Sequence, residues 1–129
     1  MNNSAVEQAL VEWLSAAGVS APVQAGSSAE QVANDGPTVI VSVPEIQHVV
    51  GPLHRATVNL IVSAPAYQTE VAVYRGVVQA VRVAIANGLA SAFDGVGIEY
   101  AGLHVSESTE QIDDSRWINV LATTLGFAR

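Results

Sequence analysis

Three histidines and a cluster of four carboxylates are the residues of this 129-residue chain best suited to chemistry. His48, His54 and His104 would make a metal site if they converged with a carboxylate. None shows H-x-x-x-H or H-x-H spacing, which predicts surface or strand-end histidines and no metal. Glu107, Glu110, Asp113 and Asp114 fall within eight positions. Adjacent carboxylates can work as acid and base or hold a hard cation, but no Gly-punctuated calcium pattern accompanies them. A solvated loop, a functional acidic surface and a catalytic pair all remain open for this stretch. Asp94-Gly95-Val96-Gly97 contains a G-x-G, but it lacks the third Gly and precedes a strand pattern, so it reads as a turn. There is no G-x-S-x-G and no P-loop. Cysteine is absent, which excludes disulfides, thiolate catalysis and Cys-based zinc sites. No catalytic residue and no cofactor is expected.

Charge is scarce. Asp, Glu, Lys and Arg make up 13% of the chain, against roughly 25% in an average soluble domain. There is no lysine, and Arg55, Arg75, Arg82, Arg116 and Arg129 are scattered. With a net charge of −7 and no basic cluster, tight binding of DNA or RNA is not expected. Non-adhesive contact with DNA would suit an acidic surface. Half the residues are apolar, yet no run is long enough to cross a membrane. So little charge leaves surface poorly covered, which points to burial against other subunits. The polar start, Met1 to Ala5, lacks a basic segment, and no signal peptide is expected.

The elements that would position these residues follow an α/β pattern within one domain, residues 1–129. Ser4 and Glu7 have capping-box spacing ahead of Val6, Leu10, Trp13, Leu14 and Ala17 on one helical face, which predicts a helix from Ala5 to Ala17 closed by Gly18. Ser20 to Pro37 is rich in turn residues, with room for a short strand near Val23 and a turn of helix at Ala29 to Val32. Thr38 to Val43 is β-branched and bounded by prolines, so it reads as a strand. Glu45 to Leu53 reads as a connection. His54 to Ala64 alternates as a half-buried strand.

After Pro65, Thr69 or Gln68 would cap a long helix closed at Asn87-Gly88, with Val71, Tyr74, Val77, Val78, Val81 and Ile85 as its apolar face. Gly76 in mid-helix suggests close packing on the sheet or on a neighbour. Gly97 to Val105 reads as a strand with Gly102 as a bulge, Ser106 to Ser115 as a polar loop, and Trp117 to Leu125 as the last strand. Trp13 and Trp117 read as core anchors, although Trp117, beside Arg116, would equally serve a subunit contact. The fold class is α/β (α+β): a mixed or antiparallel four-stranded sheet carrying two helices, in the order α-β-β-α-β-β.

That order resembles the tail terminator, or tail completion, proteins of long-tailed bacteriophages. The resemblance is carried by the amphipathic helix Ala5 to Ala17, the strand after Pro37, the strand ending in Ser63-Ala64-Pro65, the helix after Tyr67, and the final strand pair around a polar loop. It covers nearly the whole chain as a pattern of architecture. It implies a structural virion protein of the tail or neck, assembled in the host cytoplasm. It further implies a six-membered ring that caps the tail tube and joins it to the head connector or stopper protein. DNA would pass through the lumen, without enzymatic activity, cofactor or membrane. On that reading Glu107, Glu110, Asp113 and Asp114 face the lumen or the tube-facing rim, while Gly76, Arg116 and Trp117 contribute to subunit contacts. Another head–tail connector and a small dimeric α/β ligand-binding domain are the alternatives.

Overall fold

A computed structural model of the chain describes residues 3–26, 36–66, 70–89, 100–112 and 115–128. Helix α1 spans Asn3–Ala16, followed by strands β1 (Val23–Ala25), β2 (Thr38–Val50) and β3 (Leu53–Pro65). Helix α2 (Val71–Asn87) and strands β4 (Tyr100–Ile112) and β5 (Arg116–Ala128) complete the order. The architecture is mixed α+β, with two helices and a five-stranded sheet ordered β1-β2-β3-β5-β4 among the described residues. The expected four strands become five, because Val23–Ala25 pairs in parallel with Val39–Val41. Every other pairing is antiparallel.

Both helices use their apolar stripes to cover one face of the sheet. Val6, Ala9, Leu10 and Leu14 of α1 and Tyr74, Val77, Val81 and Ala84 of α2 are buried in one cluster. Alternate strand residues meet them there, including Val39 and Val41, Val58 to Val62 in steps of two, and Leu121, Leu125 and Phe127. Trp13 and Trp117 pack at the border of this core, as expected of anchors. A smaller cluster of Ile40, Ile61, Ile118 and Val120 lies on the opposite face.

The strands are longer than the hydrophobic pattern suggests. The expected connection over Glu45 to Leu53 is strand, and β2 and β3 form one hairpin from Thr38↔Ser63 to Val50↔Leu53. Its turn is Gly51-Pro52, with Gly51 at φ 55°, a left-handed conformation that glycine adopts without strain. Irregularities between Ser42 and Glu45 and between His48 and Val50 change which side chains face the core, so the alternation is broken although the strand continues. Likewise, the expected polar loop over Ser106 to Ser115 is mostly strand, since β4 pairs with β5 as far as Ile112↔Trp117. The bulge lies at Ser106, between Val105 and Glu107, while Gly102 pairs regularly with Gly126.

The helix ends also differ from expectation. Helix α1 already includes Asn3, so Ser4 lies inside the helix and the Glu7 carboxylate is used elsewhere. Glu7 Oε1 accepts a hydrogen bond from the Val43 backbone N–H at 3.1 Å, tying α1 to the first irregularity of β2. Gly18, at φ 83°, follows α1 in the expected left-handed conformation. Glu70 occupies the N-cap of α2 without a side-chain bond, and the Gly88 N–H donates to Ile85 O at the other end. The caps expected at Gln68 and Thr69, the turn at Asp94-Gly95 and the helical turn at Ala29 to Val32 lie outside the described residues.

Candidate functional site

The acids singled out by sequence do not form one cluster. Glu107 and Glu110 stand on β4, opposite Ala122 and Asn119. The partners Ala122 and Asn119 are three positions apart on β5, so the two acids project from opposite faces of the sheet. Asp113 and Asp114 lie outside the described residues.

Glu110 is engaged by α2. Its Oε2 accepts a hydrogen bond from the Tyr74 hydroxyl at 3.0 Å, and its Oε1 lies 3.9 Å from Arg75 Nη2. The long ion pair is solvent-accessible and contributes at most about 1 kcal/mol. About two turns further along α2, Arg82 Nη2 donates to Ser108 Oγ at 2.8 Å. These polar links clamp α2 to the edge strand. Asn119, across from Glu110 in register, is buried with its Oδ1 unpartnered among the described residues.

Burial pushes the Tyr74 phenol well above the ordinary tyrosine value, and the hydrogen bond to Glu110 pushes it further in the same direction. A raised folded-state value means that the native state holds the phenolic proton longer than the unfolded chain does. The associated stabilisation is complete below about pH 10 and is lost as the pH climbs toward the folded-state value. Urea unfolding from pH 8 to 11 should show stability falling above about pH 10, and Tyr74→Phe should flatten this alkaline decline. An unchanged decline in Tyr74→Phe would mean that the phenol is not protected in the folded chain.

The residues expected at subunit contacts divide. Arg116 Nη1 donates to Ser63 Oγ at 2.6 Å, and Trp117 packs at the core border with its ring 5.5 Å from that of Tyr74. Both are half-buried within the chain. Gly76 is exposed, and a Cβ added there would meet nothing within 4 Å, so the glycine is not required for packing of α2 on the sheet.

Two exposed apolar patches escaped the sequence pattern. Val49, Val50 and Leu53 crown the β2–β3 turn, with Val50 62% exposed. Val73 and Val83 flank Gly76 on the outer side of α2 at helical spacing, each nearly half exposed. The first patch was concealed because Glu45 to Leu53 resembled a connection. The second was concealed because α2 carries valines on both sides.

His104 is exposed on β4, whereas His48 and His54 are brought together as direct partners beside the turn. Among the described residues no group of three or more His, Cys, Asp or Glu side chains is placed to hold a metal. No described helix is long and apolar enough to cross a membrane. A shallow pocket at the β2 edge is lined by Glu7, Ala25, Gly26, Ser42, Pro44 and Asn59. Glu7 is the one carboxylate among its described lining residues, and that group already accepts from Val43.

No protein-family model and no curated protein matches the chain.

Proposed function

We propose that the chain is a structural ring subunit, a tail terminator at the head-proximal end of a phage tail tube, which joins tail to head connector and lets DNA pass. The observation that carries this reading is the pair of unlike apolar patches, one at the β2–β3 turn and one on the outer side of α2. A cyclic ring is built from a heterologous contact, in which each subunit offers two different surfaces. A two-fold dimer needs only one self-complementary surface. The resemblance in element order supplies the proposed ring size of six and the proposed neighbours, a tail tube protein and a connector or stopper. The thinly charged surface supports burial against other subunits.

In this proposal the exposed Glu107 of β4 belongs to the lumen or its rim, on the face of the sheet opposite Glu110. Six copies would present negative charge to the DNA phosphates and keep the genome from adhering to the wall. The effect reaches only about 8 Å at physiological ionic strength. Replacing Glu107, Asp113 and Asp114 together by Lys, with Glu110 left bonded to Tyr74, should slow or block DNA ejection while rings still form. Ejection at the normal rate from such particles would take the acidic stretch out of the lumen.

A further inference from the structure

The β2–β3 turn joins two histidines that lie six positions apart in sequence. His48 and His54 are direct cross-strand partners, with ring centres 5.1 Å apart and planes tilted by 54°. Two imidazoles that share one ion through bonds of ~2.1 Å, at angles between square and tetrahedral, have ring centres roughly 4.6–5.3 Å apart.

The turn also sets the protons on both rings. His48 Nε2 lies 2.7 Å from the Gly51 carbonyl oxygen, and His54 Nδ1 lies 2.9 Å from that of Pro52. A carbonyl can only accept, so both of these nitrogens donate. In the neutral rings the lone pairs therefore sit on His48 Nδ1 and His54 Nε2. Metal-ligating histidines are commonly held in this way, with the outer N–H given to a backbone carbonyl. The His54 ring is held further by parallel stacking on Phe127, at 5.2 Å and 10°. His48 is exposed, so water has access to the remaining coordination positions.

The chemistry of the donors selects the ion. No carboxylate side chain occurs from Ile46 to Thr57, so these two strand ends and their turn themselves offer a hard cation such as Ca²⁺ or Mg²⁺ no charged oxygen ligand. Imidazole nitrogens suit borderline transition metals. We propose that His48 and His54 form an open, two-histidine site for a divalent transition-metal ion of the Zn²⁺ or Cu²⁺ type, bridging β2 and β3 at their turn, with water as the other ligands. This goes beyond the ring reading, in which the neighbouring Val50 and Leu53 meet a second subunit, and it concerns the subunit before assembly.

Calorimetric titration of the full chain at neutral pH with ZnCl₂, and separately with CuCl₂, tests the proposal. The expected result is saturable binding of one ion per chain, tighter for Cu²⁺ than for Zn²⁺. His48→Gln and His54→Gln should each weaken Zn²⁺ binding about tenfold or more, and His104→Gln should leave it unchanged. Melting in EDTA establishes that the variants are folded. Should either variant fail to fold, the wild-type imidazole NMR signals provide the same decision. On Zn²⁺ addition those of His48 and His54 should move together, and those of His104 should not. Absence of saturable binding to the wild type, equal binding by a folded chain carrying both His48→Gln and His54→Gln, or movement of His104 alone would overturn the site.

Discussion

Leu121→Ala is expected to lower the unfolding free energy by about 2–5 kcal/mol. Leu121 is fully buried and lies on β5, which is paired with β3 on one side and β4 on the other. Its partners in register are Leu60 and Ser108, so the backbone around it is held by two ladders and has little freedom to collapse into the space left behind. The loss therefore includes both the transfer of the side chain and the residual cavity. Typical domain stabilities are about 5–15 kcal/mol, so this one change removes a large share, and a fall in melting temperature of roughly 10–20 °C follows. Val105→Ala is the control, because Val105 is 40% exposed and its truncation should cost no more than about 0.5 kcal/mol. Chemical denaturation of both variants checks the contrast. Equal small losses would show that Leu121 does not sit in a tightly packed core.

The second large effect concerns assembly. Val50→Asp combined with Leu53→Asp is expected to dissociate the proposed ring while leaving the subunit folded. Both side chains are exposed at the β2–β3 turn, so the isolated fold should lose little. At a subunit contact the same change removes two buried apolar groups, worth about 1.5–3 kcal/mol each. It also introduces carboxylates that must either be desolvated or force the surfaces apart. A loss of roughly 3–6 kcal/mol per contact corresponds to weakening by more than about a hundredfold. Light scattering should report monomers, and the melting temperature should be close to that of the wild-type subunit. A variant that keeps the wild-type mass would remove the turn from the interface.

The elements most legible in the sequence were those whose periodicity was undisturbed. The face of α1 carrying Val6, Leu10 and Leu14, the alternation of β3, and the glycines at both helix ends all stand where the pattern predicted. The outer halves of β2 and β4 were illegible for a single physical reason. Each contains a bulge, near Ser42 and at Ser106, and beyond it most side chains are exposed, with Val43 and the half-buried Ile46 the exceptions on β2, so the segment carries no hydrophobic alternation. The Glu7 carboxylate was misassigned because a capping box and a long-range acceptor need the same residue, and only the fold brings Val43 within reach. The histidine pair was hidden for the same reason as those strand halves. Regular pairing across the two-residue Gly51-Pro52 turn would set His54 against Val49, and only the irregularity beside the turn sets His48 against His54. Of the proposed contact residues, Gly76 is free for a partner, whereas Arg116 and Trp117 are already engaged within the chain.

The central claim is a closed ring of one kind of subunit. Native mass measurement of the purified chain, combined with negative-stain imaging of the same sample, tests it most directly. The expected result is a species of about 80 kDa, six times the 13.4 kDa subunit, with a visible central opening. Monomers or compact two-fold dimers at every concentration, or a ring of another order, would contradict it.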